Sequence, residues 1–375
     1  MKYLLPSAAA GLLFLACQSA IAADTGGYAT TDGGDISGAV KKTAHSMQDI
    51  IDIIAEAKLN SAGKKVKGGA YPLVITYDGN EDSLIKAAED DICGQWKKPV
   101  RGVEIREFTK GLTIIGTNGS SANFGFWLIK SADVVIRNMR IGYIPGGPED
   151  GDAFRVDDSP NVWIDHNEIF AKNYECKGTP DSDTTFESAV DIKKGSTNVT
   201  VSYNYIHDFK KVGLSGLGAK DTINRDLTYH HNIYSNVNAR VPLQRGGKVH
   251  AYNNLYTGIT SSGLNVRKKG IALIESNWFE NAKNPVTSRY DGSEFGTWEL
   301  RNNNIMEPAD FTTYNITWNK DSKSYVNAED WKSTGTFPSI PYSYSPVTAQ
   351  CVKDKLADYA GVGKNLAVLT PSDCD

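Results

Sequence analysis

The sequence predicts an all-β solenoid, and three observations carry that prediction. Short segments between residues 112 and 305 resemble one another: VWIDHNEI at 162, VTVSYNYI at 199, LTYHHNIY at 227, VHAYNNLY at 249, ALIESNWF at 272 and WELRNNNI at 298. In each, apolar or aromatic residues mostly alternate, as along a strand, and the segment closes on Asn, one further residue and an apolar one. The aligned residues are Asn167, Asn204, Asn232, Asn254, Asn277 and Asn303, at intervals of 37, 28, 22, 23 and 26. A repeat of about 22 residues is what one coil of three short strands and three turns needs, and repetition on that scale marks a solenoid. The longer intervals place insertions at particular turns. Asn at one fixed position per coil predicts a ladder of stacked side-chain amides, each satisfying the next. An antiparallel sandwich, the structural rival, needs no Asn in register. The third observation is composition: 35 Gly and 18 Tyr, with recurrent Asn-containing turns, favour many short strands over long helices.

The elements follow in order. Residues 1–22 read as a signal peptide: Lys2 supplies the positive charge, LLPSAAAGLLFLA the apolar core, and Ala20-Ile21-Ala22 the small-x-small cleavage pattern. A lipoprotein signal ending at Cys17 is the rival, and Phe14-Leu15 fits it poorly. The apolar run is too short and wrongly flanked to span a membrane. Residues 23–375 form one domain in this reading. The Gly- and Thr-rich stretch 23–44 is expected to be extended. SMQDIIDIIAEAKL then begins a helix over 46–59, with Ser46 and Asp49 as a capping-box-like start and Ile50, Ile51, Ile53, Ile54, Ala57 and Leu59 at helical spacing. YPLVITYDG reads as a buried strand. No Gly-x-Gly-x-x-Gly or phosphate loop follows, so the helix is read as the N-terminal cap of the solenoid. VVIRNMRI at 134 is a related copy of the repeat, one residue out of step. The less periodic C-terminal region is read as the other cap.

Removal of the leader takes Cys17 with it and leaves Cys93, Cys176, Cys351 and Cys374. An even count in an exported chain reads as two disulfides, with three possible connectivities. We pair Cys351 with Cys374, closing the C-terminal tail, and Cys93 with Cys176. With no Cys-x-x-Cys, zinc and thioredoxin-type readings are weak.

Nothing in the net charge of −4 suggests a general nucleic-acid or membrane binder, so any grip on an anion must be local. Asp150 and Asp152 lie in GPEDGDAF, and Glu187 and Asp191 in FESAVDIKK. Residues four apart share a face in a helix and in a strand, so the second pair points together, and in a strand Lys193 joins them. Four carboxylates on neighbouring coils make a hard-oxygen cluster suited to Ca²⁺, although solvated acidic loops are common. Counting from Asp150, position 12 is Asn161, which rules out an EF-hand. Neighbouring strand residues point to opposite faces, so the pair His230-His231 chelates poorly and reads as scaffold. Lys210 reads as solvated. Arg240 and Arg245 are harder to assign to a solvated surface: NARVPLQRGG holds both on a stretch stiffened by Pro242 and ended by Gly246-Gly247. Guanidinium forks grip carboxylates in bidentate fashion. An acidic cluster beside such cations describes a site that holds a polyanion partly through a bridging metal.

These motifs resemble the pectate lyases of polysaccharide lyase family 1. The resemblance covers nearly all of the mature chain and rests on VWIDHNEI, the Asp-Gly-Asp at 150–152, ESAVDIKK, NARVPLQRGG and the leader MKYLLPSAAAGLL. It implies a right-handed parallel β-helix and an exported, monomeric, endo-type enzyme of plant cell-wall pectin degradation. The implied reaction is Ca²⁺-dependent β-elimination of polygalacturonate to 4,5-unsaturated oligogalacturonides. Asp150, Asp152, Glu187 and Asp191 match the family's calcium ligands, Arg240 its catalytic base, and Lys193, Lys211 and Arg245 positions that contact uronate carboxylates. Retention of all four carboxylates favours pectate over methylated pectin. Arginine is an unusual base: with a pKa above ~12, roughly one in a thousand or fewer is neutral near pH 9, so alkaline activity is expected. Two other classes are kept beside this one. One is a hydrolase on a similar β-helix, with Asp157-Asp158 and Asp165 as the acidic pair. The other is a non-catalytic β-helix acting as an adhesin or binding module.

Overall fold

The computed structural model describes residues 24–146, 151–173, 176, 186–289, 294–318 and 331–375. The proposed signal peptide and Asp150 lie outside the described residues. Within them the chain winds into a right-handed parallel β-helix of three sheets, with ten, eight and seven strands. Successive coils contribute one short strand to each sheet, and the named strand pairs are all parallel. The repeated segments supply the ten-stranded sheet. Their first apolar positions stand in one row, Val134, Val162, Val199, Leu227, Val249, Ala272 and Trp298, each at most 1% exposed. Inward positions of all three sheets pack into one continuous apolar core.

The amide ladder is present. Nδ2 of Asn167 donates to Oδ1 of Asn204 at 2.9 Å, and the chain of bonds continues through Asn232, Asn254 and Asn277 to Asn303 at 3.0, 3.0, 3.0 and 3.1 Å. The residue before each Asn makes the corner between two sheets with a left-handed backbone, φ lying between 50° and 52°: His166 52°, Tyr203 51°, His231 52°, Asn253 51°, Ser276 52° and Asn302 50°. The out-of-step copy at 134 is explained here. Asn138 occupies the corner (φ 54°), and Met139 takes the ladder position, where its backbone N–H donates to Asn167 Oδ1 at 2.9 Å.

Each rung is buried and fully paired, so its removal should be costly. Asn254 is 0% exposed. Its Nδ2 donates to Tyr229 O and Asn277 Oδ1, and its Oδ1 accepts from the backbone and side chain of Asn232. Asn254→Leu keeps the branched outline but orphans both Asn232 donors. At ~1–3 kcal/mol for each buried unsatisfied group, the variant should lose about 4 kcal/mol, measured as a fall in the urea unfolding midpoint.

The helix Met47–Ala57 buries Ile50, Ile54 and Ala57 over the first coils. Ser46 Oγ accepts from Asp49 N at 3.1 Å, while the Asp49 carboxylate takes the N–H of His45, one residue earlier than a capping box requires. The strand Leu73–Tyr77 follows as expected; a second helix, Asp82–Asp90, was not foreseen. The N-terminal stretch runs across the outside of the ten-stranded sheet, where Tyr28 N and Ala29 N donate to Thr228 and Thr200 hydroxyls. Cys93 is bridged to Cys176 and Cys351 to Cys374, as paired from the sequence. The tail bearing the second bridge does not close the end of the solenoid. Val352, Leu356 and Leu369 instead pack along its side on Tyr203, Ile233, Leu255 and Trp278, because those outward apolar residues of the seven-stranded side need cover. The far end of the lumen is filled by Trp318 and Trp331, packed edge-to-face at 5.1 Å.

The histidine pair departs from the strand-alternation expectation. His230 ends its strand and His231 is a left-handed corner residue, so the two rings meet edge-to-face with Nδ1 atoms 2.9 Å apart. Both are buried, and burial pushes the His230 imidazole down to about 4 and His231 well below the ordinary histidine value. With folded values below the unfolded value of ~6.5, the unfolded chain takes up protons that the native state refuses as pH falls. The stability they contribute is therefore intact above pH ~6.5 and lost as pH falls toward 4. At ~1.36 kcal/mol per pH unit, His230 alone should account for about 2 kcal/mol between neutrality and pH 5. Urea midpoints at both pH values should drop more for the wild type than for His230→Asn.

Candidate active site

Four consecutive strands of the eight-stranded sheet organise the residues singled out from the sequence. The strands are Phe154–Asp157, Val190–Lys193, Gly213–Ser215 and Leu243–Arg245, neighbours in that order. Asp152 precedes the first by two positions. Asp191 and Lys193 lie on the second, on its outer face, since Ile192 between them belongs to the core. Glu187 lies before that strand, not in it, so the four-residue spacing with Asp191 is not a strand repeat. Lys211 precedes the third strand and is bridged to Ala239, which places it one residue from Arg240. Arg240 precedes the fourth strand, and Arg245 ends it. Gly246 and Gly247 follow, at φ 66° and 64°, where a side chain would be strained and would strike Thr222 or Arg225 backbone.

The turn around Arg240 breaks the strand. Arg240 has φ 62°, the Val241–Pro242 peptide is cis, and the Arg240 carbonyl accepts from Gly213 N at 3.0 Å. The five-residue offset to Arg245 is therefore not a run of alternating faces. Lys210, read as solvated, is half-buried, and its carbonyl accepts from Ala239 N.

Lys193 is the centre of the acidic cluster. Its Nζ lies 2.9 Å from Asp191 Oδ2 and 3.2 Å from Asp152 Oδ2. The other oxygens are held by backbone: Asp152 Oδ1 accepts from Ser188 N and Asp191 Oδ1 from Leu214 N. Burial, then the Asp191 charge, pushes the Asp152 carboxyl well above the carboxylate range. Burial and Asp191 push Glu187 up to about 7, against Lys211, Lys193 and Arg240, all of which pull it down. That balance places Glu187 within electrostatic reach of both the carboxylates and the cations. Burial works against the Lys193 charge, but Asp191 and Asp152 outweigh it and hold the ammonium above its usual value. Among the described residues no three His, Cys, Asp or Glu side chains converge as a ready-made metal cage. The donor set nonetheless suits a hard divalent cation: hard carboxylate oxygens, crowded so that their own repulsion and burial disfavour full ionisation without further positive charge.

The acidic pair of the hydrolase alternative is not assembled. Asp157 belongs to the eight-stranded sheet and Asp165 to the ten-stranded one. Asp157 is paired with Arg155 and Lys194, and Asp165 with Arg137. Asp158 Oδ1 is taken by Gly195 N.

The family model described as pectate lyase matches residues 1–365. The chain belongs to the pectate lyase family. This pectate lyase is 82% identical to pectate lyase 3 of Pectobacterium carotovorum subsp. carotovorum over 375 residues, all of both chains. It is 73% identical to pectate lyase B of Dickeya chrysanthemi over 374 residues, again all of both. Among solved structures, an arginine-to-lysine variant of pectate lyase C in complex with pentagalacturonic acid superposes with a TM-score of 0.92 at 72% identity, covering 94% of this chain and 99% of that one. Pectate lyase C from Erwinia chrysanthemi with Ca²⁺ matches equally, at the same identity, coverage and TM-score. The fold and enzyme class expected from the motifs are those of the relatives.

Proposed function

We propose that this pectate lyase cleaves de-esterified polygalacturonate by Ca²⁺-dependent β-elimination, endo-type, as an exported monomer acting on plant cell-wall pectin. In this reading residues 1–22 are the signal peptide and 23–375 the catalytic domain. The observation that carries the proposal is the outer face of the eight-stranded sheet, where crowded carboxylates at Asp152, Glu187 and Asp191 adjoin Lys193, Lys211, Arg240 and Arg245. The likeness to relatives solved with pentagalacturonic acid and with Ca²⁺ supports it. Asp152, Glu187 and Asp191, with Asp150 from outside the described residues, would hold the ion. When bound, Ca²⁺ supplies Lewis-acid polarisation of a substrate carboxylate.

The remaining chemistry belongs to the chain's own side chains. Lys193, Lys211 and Arg245 grip uronate carboxylates and place positive charge where the transition state gains negative charge. Arg240 takes the proton from C5, α to the carboxylate. The electron pair left at C5 forms the C4–C5 double bond, and the glycosidic oxygen leaves C4 and collects a proton. The product is a 4,5-unsaturated uronide, whose conjugated double bond absorbs in the ultraviolet.

The test is a progress curve in the ultraviolet on polygalacturonate and on highly methylated pectin. Polygalacturonate should give rising absorbance and the faster rate, since an ester removes the charge that Lys211, Arg245 and the ion grip. Cleavage with new reducing ends but no absorbance would indicate hydrolysis. A faster rate on the ester would move the substrate assignment to methylated pectin.

A further inference from the structure

The loop that leads from the third site strand to the strand Asp226–His230 of the ten-stranded sheet contains an ion pair that the chemistry above does not use. Arg225 is 1% exposed, and its Nη2 donates to an Asp221 carboxylate oxygen and to Lys194 O. The second Asp221 oxygen accepts the N–H of Leu217 at 2.7 Å and of Lys194 at 2.8 Å. Partial burial pushes the Asp221 carboxyl up, but Arg225 and those two amides outweigh it and hold it below the usual carboxylate range. One carboxylate thus ties the loop to the residue that directly follows Lys193.

The same loop braces Arg245. Gly216, next to Leu217, gives its carbonyl to Arg245 Nη1 at 2.8 Å. Gly216 has φ 93°, and a Cβ there would lie 2.4 Å from Asp221 O and 2.9 Å from Arg245 Cβ. Gly216 is therefore wedged between the Asp221 turn and the Arg245 side chain, with no room for a side chain of its own.

We propose that Asp221, clamped by Arg225, is a positioning residue for substrate binding: it fixes the Gly216 carbonyl that orients the Arg245 guanidinium and anchors the end of the Lys193 strand. The inference rests on the reading of Arg245 as a uronate-binding group. A fork must be held within a fraction of an ångström to meet a carboxylate with both donors. Loosening the loop should weaken the grip on substrate more than the proton transfer at Arg240, which a different turn holds.

The experiment is a double-mutant cycle between Asp221 and Arg245, with kcat and KM for polygalacturonate measured at saturating Ca²⁺. Asp221→Asn should raise KM by about tenfold with kcat within about twofold. In an Arg245→Ala background the same change should add less than about twofold, because the guanidinium it orients is gone and Lys193 is still held by Asp191 and Asp152. Asp221→Asn leaves Arg225 buried and unpaired, so Asp221→Asn with Arg225→Met provides a neutral pair that should fold and show the same rise in KM. Full additivity with Arg245→Ala, or a lowered Tm with unchanged KM in both Asp221 variants, overturns the positioning role. If Arg245→Ala alone leaves KM unchanged, the uronate-binding reading itself fails, and the positioning role falls with it.

Discussion

Arg240→Lys should lower kcat by about 10³-fold while KM for polygalacturonate changes by less than about threefold, within the range attributed to a positioned general base. Lysine keeps the positive charge, so the electrostatic grip on the polymer survives. It loses the planar fork and places its single nitrogen elsewhere, so the proton-accepting atom is misplaced. Arg240 sits on a left-handed turn outside its strand, with its carbonyl tied to Gly213 N. Neither feature depends on the side chain, and the variant should keep the native unfolding midpoint. Arg245→Lys should fall instead on KM, since the role proposed for it is recognition. Turnover near wild type for Arg240→Lys across alkaline pH would remove Arg240 as the base. Lys211, bridged to Ala239 beside it, would then be the next group to change.

Exhaustive chelation should reduce activity to less than about 1% of the starting rate, with recovery on adding Ca²⁺ and little recovery with Mg²⁺. The acidic cluster is built for added positive charge: burial and Asp191 raise both the Asp152 and the Glu187 carboxyls. Lys193 alone neutralises one of the charges it faces. Mg²⁺ holds its waters and demands a small octahedral shell, whereas Ca²⁺ tolerates many oxygens in irregular geometry. The fold should survive chelation, with unchanged circular dichroism, because core packing, the amide ladder and two disulfides hold the coils together without the ion. Retained turnover in chelator would remove the metal from the reaction, and loss of structure would make it a folding cofactor.

The parts of the fold that repeat could be read from the chain. The ladder was legible because one residue type recurs at one place in six successive coils, and Asn is demanded there by donors and acceptors on both sides. The pairing of Asp191 with Lys193 was legible because side chains alternate along a strand. What failed to show were features set by a single backbone angle or a single long-range contact. His231 turns toward His230 because its φ is left-handed, and residue type alone gives no warning of that. Glu187 meets Asp191 from outside the strand, so its spacing was suggestive for the wrong reason. The clamp between Asp221 and Arg225 looks like any charged pair in a polar loop; its meaning comes from Lys194 and Gly216, distant in sequence. The C-terminal tail reads from the sequence as an end cap, and that it covers a side instead depends on apolar residues facing outward from the seven-stranded side.

The ladder fixes only one corner of each coil. From the end of the strand to the Asn the count of residues is constant, whereas the span from one Asn to the next varies from 22 to 37. Length differences are therefore absorbed at the other turns, and a coil that gains or loses residues there does not disturb the alignment of its neighbours. The two widest spans, after Asn167 and after Asn204, are the ones that carry Glu187, Lys211 and the Asp221 loop. Scaffold and specificity are thus separable in this architecture: loops of different length and chemistry can be exchanged at those two turns, by evolution or by grafting, while the stack that carries them keeps its register.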